Sequence, residues 1–179
     1  MGRRMGNEPA VMQAMERGLL RAREQGKAWL PADMKVVKLD FAEAGVRDQV
    51  AAALRARVII GVHGAGMTWQ MFQMPLPGAG LIEIHPDFDP KNPGMMSKCF
   101  ANQAVLTGVN YMRWFATPQE SKFNGDTNVD VRSIEGLVAT LLTQDPSRGL
   151  GPREGGPGVL GLVRTGDPTE IGAMPGLQA

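Results

Sequence analysis

Apolar residues recur along this chain with changing spacing, and each change marks an element. From Glu8 to Arg23 they fall at Val11, Met15, Leu19 and Ala22, a spacing that predicts a helix. Asn7 stands where a helix cap belongs, and Pro9 falls in the first turn, where a missing N–H costs nothing. Met34 to Leu39 is short and β-branched and predicts a strand. Val46, Val50, Ala53 and Leu54 then share one helical face over Val46 to Ala56. Val58 to Val62 is a continuous apolar run, as in a strand covered on both faces. A short helix is expected over Met67 to Met74, and a strand over Leu81 to Ile84. Met95 to Thr107 predicts a helix that stops at Gly108, a natural residue just past a helix end. Asn110 to Phe115 predicts a strand and Ser133 to Leu142 a closing helix. Strands alternating with helices imply an α/β fold with a parallel sheet and right-handed crossovers.

The pattern stops near residue 145. The last 34 residues, Pro146 to Ala179, hold 9 glycines and 5 prolines and no apolar period. Such composition predicts a disordered tail after an α/β domain spanning residues 1–145. The whole chain of 179 residues is long enough for one domain with a core. Its 19 basic and 18 acidic side chains leave a net charge of +1, which argues against nucleic acid as a partner. The single cysteine, Cys99, excludes a disulfide within the chain. No apolar run reaches the roughly 18 residues of a membrane span. The start, Met1-Gly2-Arg3-Arg4, lacks the apolar stretch of a secretory signal.

The densest candidate chemistry is His63-Gly64-Ala65-Gly66, between the run Val58–Val62 and the expected short helix. In a parallel sheet, ligands sit beyond the carboxyl ends of the strands. Glycines there let backbone N–H groups approach an anion, and a helix start adds partial positive charge. A diphosphate is the natural guest. The order G-x-x-G-x-G departs from the dinucleotide fingerprint G-x-G-x-x-G, which argues against an NAD-dependent enzyme, and no Gly-Lys-Ser/Thr of a Walker loop follows. The glycines have a second reading as steric necessities of a tight turn. Glu83, 20 residues after His63, interrupts the next apolar run. An acid there either accepts ribose hydroxyls or pairs with Arg113 or Arg57. His85-Pro86-Asp87-Phe88-Asp89 gathers metal-ligating types, but its proline-bounded spacing reads as a turn, and no metal site is expected.

Several stretches, in order, are similar to the glycosyltransferase family 61 type. Arg3-Arg4-Met5-Gly6-Asn7-Glu8 resembles the family's R-R-x-x-N-E segment, and Asp48-Gln49 its "eQ" helix start. Val58 to Phe72 resembles "advivGvHGAGLTnllF", with Met67 for Leu and Trp69 for Asn. Pro75 to Ile84 looks like "mppGaavIEi", and Asn110 to Trp114 like the strand that follows it. The resemblance runs over about residues 3 to 142.

It implies the GT-B architecture, two Rossmann-like halves facing each other. This chain would be the C-terminal, donor-binding half, and most of the acceptor-binding half would be missing. The activity implied is inverting transfer of a sugar from a UDP-sugar to a hydroxyl of a glycoprotein or polysaccharide, without a metal or other cofactor. The compartment implied is the Golgi or endoplasmic reticulum lumen, with any membrane anchor outside this chain. A silent nucleotide-binding module is the competing reading.

Resemblance and chemistry together assign the donor site to Arg4, His63, Gly64, Ala65, Gly66, Thr68 and Glu83. The loop N–H groups would hold the diphosphate. His63 would bond a phosphate oxygen or orient the sugar, or else bond a nearby carbonyl. Thr68 would donate to phosphate or cap the short helix, and Arg4 would neutralise phosphate charge or lie solvated. Trp69 and Phe72 are expected to pack the helix. The base that deprotonates the acceptor is expected from the missing half, with His63 as the alternative.

Overall fold

A computed structural model describes residues 4–40, 43–86, 99–116, 126–144 and 159–163, with the backbone alone for Arg4 and for 159–163. The first strand, β1 (Arg4–Met5), runs into helix α1 (Glu8–Glu24). Helix α2 (Val46–Arg55) leads to β2 (Val58–Val62), then a 3₁₀ helix (Ala65–Phe72) and β3 (Gly80–His85). There follow α3 (Cys99–Thr107), β4 (Asn110–Phe115), β5 (Asp126–Thr127), α4 (Val131–Thr143) and β6 (Val159–Val163). The main sheet has the order β2-β3-β4-β6. Its first three strands are parallel, as the alternation of strands and helices predicts, and β6 is antiparallel to β4.

Register divides the side chains between two layers, because successive residues of a strand point to opposite faces. Ile59, Leu81 and Tyr111 form one row across the sheet, and Gly61, Glu83 and Arg113 the next. These rows lie on the face covered by the 3₁₀ helix and α3, through Met67, Phe100, Ala101 and Ala104. The other face carries Ile82, Ile84, Met112 and Trp114, packed under α1 and α4. The two helices approach closely at Gly18. A Cβ there would lie 2.8 Å from the Glu135 carbonyl oxygen and 2.9 Å from Val138 Cβ. Arg17 and Arg21 both reach Glu135 across the same contact, at 2.8 and 3.2 Å. These pairs are largely exposed and add little next to the apolar burial.

Several elements differ from the sequence pattern. Met34 to Leu39 forms no strand. The Arg23 guanidinium donates to the Ala32 and Met34 carbonyls at 2.8 and 2.7 Å, Val37 is 64% exposed, and no ladder partner lies beside the segment among the described residues. Strand propensity supplies no neighbour. Helix α2 turns Gln49 and Ala53 inward, leaving Val46 and Leu54 exposed. The buried Gln49 amide is satisfied by the Ala44 carbonyl, 2.6 Å away, which offsets its desolvation. Strand β2 is half-buried, not covered throughout, because it is an edge of the described sheet. Asn7 does not cap α1 with its side chain. Its amide donates to the Val129 carbonyl and accepts from the Val129 N–H, at 2.8 and 2.9 Å. That clip extends the short parallel pair β1–β5, in which Arg4 faces Asp126 and Met5 faces Thr127.

The expected closing helix begins two residues early, at Val131, because Asp130 caps it by accepting from the Ser133 N–H at 3.0 Å. Helix α3 ends at Gly108, whose φ of 73° favours glycine. The early part of that expected helix, residues 95–98, lies outside the described residues. Strand β6 lies within the Gly- and Pro-rich stretch that composition reads as disordered. Its run Val-Leu-Gly-Leu-Val is apolar enough to pair with β4 once that edge is present.

Gly18→Ala should destabilise the protein by about 1–3 kcal/mol, the usual range for overpacking, although alanine is the better helix former. The added methyl meets backbone that cannot turn aside. Chemical denaturation of the two proteins measures the difference.

Candidate functional site

Strand alternation assembles the site at the carboxyl ends of β2, β3 and β4. Leu81, Glu83 and His85 share one face of β3, and Tyr111, Arg113 and Phe115 share the matching face of β4. His63 follows β2 directly, and its backbone N–H continues the ladder to the Ile84 carbonyl at 2.8 Å. The imidazoles of His63 and His85 therefore meet, with ring centres 4.8 Å apart. Phe100 of α3 meets the His63 ring edge-on at 5.3 Å, and Phe115 lies 5.7 Å from His85.

Glu83 is fully buried and sits at the centre. One carboxylate oxygen accepts from His63 Nδ1, and the other accepts from the Tyr111 hydroxyl. Arg113 Nε donates to that second oxygen at 3.3 Å and also to the Tyr111 oxygen. Burial pushes the Glu83 carboxyl up, but His63, Arg113 and Tyr111 outweigh it and hold it below the usual carboxylate range. Burial and the neighbouring carboxylate raise the Tyr111 hydroxyl well above its ordinary value, so it stays a donor. A carboxylate can only accept, so the His63 proton shared with Glu83 is on Nδ1, and the ring's remaining chemistry is at Nε2.

His85 is arranged differently. Its Nδ1 lies 2.9 Å from the Pro86 carbonyl oxygen, which also only accepts, so Nδ1 carries the proton. Its Nε2 is then a bare acceptor, buried and without a hydrogen-bond partner among the described residues. Burial, chiefly, lowers the His85 pKa to about 4, so the ring is neutral near pH 7.

The 3₁₀ helix after the loop has three residues per turn, which gives it three distinct edges. Met67, Gln70 and Gln73 are buried, while Thr68, Met71 and Met74 are exposed. Trp69 and Phe72 lie on the third edge and stack on each other at 5.7 Å. Phe72 remains 38% exposed, so the pair is less buried than packing of the helix alone would give.

The sequence-predicted residues divide accordingly. His63, Gly64, Ala65 and Gly66 lie together at the end of β2, with Ala65 exposed. Thr68 is exposed, and no side chain caps this helix. The Glu83 oxygens accept from protein groups and the side chain is fully buried, so a ribose would need the site to open before reaching it. Arg57 is not among those partners; its guanidinium donates to the Pro77 carbonyl at 3.1 Å. The Arg4 side chain, Asp87 and Asp89 lie outside the described residues. His63, Glu83 and His85 offer ligand atoms within 4.8 Å of one another, a grouping the loop spacing did not suggest. The Arg113 charge beside Glu83 opposes a cation there. Sequence reasoning missed the joint role of Tyr111 and Arg113 and the bare nitrogen of His85. The period-two alternation inside the two apolar runs is the signal that would have found them.

The sequence pattern of glycosyltransferase 61 matches residues 1–82, which include the whole His63–Gly66 loop and stop one residue before Glu83. Residues 1–82 match glycosyltransferase 61. The EGF domain-specific O-linked N-acetylglucosamine transferases of Mus musculus, Bos taurus and Pan troglodytes are each 30% identical over 83 residues. The aligned stretch is 46% of this chain and 14% of each relative, so the chain spans a small part of their length. No solved structure matches. The names of the glycosyltransferase 61 family and of these relatives indicate a glycosyltransferase.

Glu83→Gln should lower stability by about 3–5 kcal/mol, because it removes the buried carboxylate to which His63, Tyr111 and Arg113 all donate. Urea titration checks this. A second expectation concerns acid. The unfolded chain protonates His85 near its ordinary 6.5, whereas the folded chain resists to about 4. Between those values the unfolded state binds more protons, so stability falls as pH drops from 6.5 to 4. The depressed Glu83 carboxyl acts in the same direction at its acid end. His85→Phe should melt with a shallower pH dependence in that window, measured by thermal scans.

Proposed function

We propose that this chain is the donor-binding half of a GT-B glycosyltransferase, holding a UDP-sugar at His63-Gly64-Ala65-Gly66. The observation that carries the reading is Gly64. Its backbone is extended, with φ of 168°, a region open to any residue. Among the described residues, a Cβ there would meet only the Val62 carbonyl oxygen, at an ordinary 3.7 Å. Neither strain nor packing among the described residues calls for glycine at this position, which supports a role for the small residue toward what approaches from outside. A helix start leaves its first N–H groups without internal partners, which suits a diphosphate.

In the reaction, the acceptor hydroxyl attacks the anomeric carbon as its bond to the diphosphate breaks. The hydroxyl proton passes to a base, and UDP leaves with its new charge held by the loop N–H groups. The configuration inverts, and the acceptor is a protein or polysaccharide hydroxyl. The base comes from outside this chain, or from His63 through Nε2, with Glu83 fixing the ring as an orienting partner. Arg4 assists phosphate neutralisation and Thr68 its binding. No metal is needed in this scheme. The compartment is the Golgi or endoplasmic reticulum lumen. The relatives' names make N-acetylglucosamine the first sugar to try.

Calorimetry with UDP, UDP-GlcNAc, UDP-xylose and NAD tests the reading. Uridine nucleotides should bind, and Gly64→Val should weaken them tenfold or more while leaving the melting temperature nearly unchanged. Binding of NAD with no uridine nucleotide would overturn it.

A further inference from the structure

The two histidines at the site are not equivalent, and the difference says what each can touch. His63 is tied to a carboxylate and His85 to a carbonyl. With its only proton committed to Pro86, His85 offers Nε2 as an acceptor and nothing else. That nitrogen is buried, and among the described residues no donor reaches it. Buried acceptors are normally satisfied, and the exceptions call for an explanation. An ionised phosphate cannot provide one, because it brings lone pairs to a lone pair. The partner has to be a proton donor close to the group that His63 meets, since the two rings are 4.8 Å apart.

We propose that His85 Nε2 accepts a hydrogen bond from a hydroxyl of the bound nucleotide sugar, one linkage away from the diphosphate. This rests on the donor-binding reading above. The diphosphate has a hydroxyl-bearing ring on each side, the transferred sugar and the ribose, and both present the same chemistry. His85 is thus a binding residue that reads the ring, while the loop reads the charge. The neutral state of His85, kept by burial, preserves the lone pair near pH 7. The residue is in register with Phe115, whose ring, 5.7 Å away, walls the imidazole on the β4 side.

The test is a set of calorimetric titrations of the full chain and of His85→Phe with UDP-GlcNAc, UDP and inorganic pyrophosphate. Pyrophosphate carries no hydroxyl and serves as the control. The substitution should weaken UDP-GlcNAc about tenfold and leave pyrophosphate unchanged. If UDP is unaffected, the hydroxyl belongs to the transferred sugar; if UDP weakens equally, it belongs to the ribose. Equal losses for all three, or none, would overturn the role of His85 while leaving the donor-binding reading in place. Failure of the unaltered chain to bind any uridine nucleotide would remove both. Histidine ¹⁵N spectra of the unaltered chain give a second measurement that does not depend on the variant folding. The unprotonated His85 nitrogen should shift on adding UDP-GlcNAc and stay still with pyrophosphate. A shift produced instead by Mn²⁺ or Zn²⁺ alone would make Nε2 a metal ligand and overturn the proposal.

Discussion

A carboxylate with no access to water is the constraint around which this site is built. Glu83 can stay ionised in the sheet only because three groups converge on its two oxygens, one from the end of β2 and two from β4. Each of those groups is fixed in turn. Tyr111 is pinned between the carboxylate and Arg113, and His63 is held through Nδ1. Pairing of this kind fixes register as well as charge. A slip of one residue in β4 would carry Tyr111 and Arg113 to the face under α1 and α4, among Ile82, Ile84 and Val11. The same network that orients His63 therefore commits the three parallel strands to one alignment.

Much of the fold could be read from the pattern of apolar residues. Val58–Val62 and Asn110–Phe115 are strands within the expected limits, because both are dense in apolar residues. Met34–Leu39 has similar composition and is not a strand, since composition cannot supply the neighbour that a ladder requires. Gln49 was hidden for a related reason: a buried amide is acceptable only when a partner such as the Ala44 carbonyl is found, and pairing across space leaves no trace in spacing. At the site, the loop His63–Gly66 stood out because glycine and histidine are conspicuous after an apolar run. Arg113 was legible only as a possible partner of Glu83. Tyr111 and His85 were hidden by the apolar residues between them, although their alternation with Met112 and Ile84 encodes which face they occupy.

The family match and the polar network occupy adjoining parts of the chain. The match runs through the loop and ends at Ile82, whereas Glu83, His85, Tyr111 and Arg113 follow it. The loop thus lies inside the matched stretch, and the network supports it from the next two strands. Within the loop region, the three edges of the 3₁₀ helix separate tasks that an α-helix would blend. Met67 anchors it to the sheet, Trp69 and Phe72 form an aromatic edge, and Thr68 faces solvent.

The clip between Asn7 and Val129, and the close passage of α1 against α4 at Gly18, bear on how the molecule reaches this state. The layer behind the sheet is made from the first and last helices described, so its contacts join residues more than a hundred positions apart. Such contacts demand loop closure over nearly the whole domain before they reward it, which slows folding. On a ribosome, β2, β3, β4 and the His63 loop emerge before α4 exists. Until α4 arrives, Ile84, Met112 and Trp114 lack half of their cover. The nascent chain therefore passes through an interval in which the side that carries His63 and Glu83 can assemble while its other side is still an open apolar surface, one that a chaperone would be suited to shield.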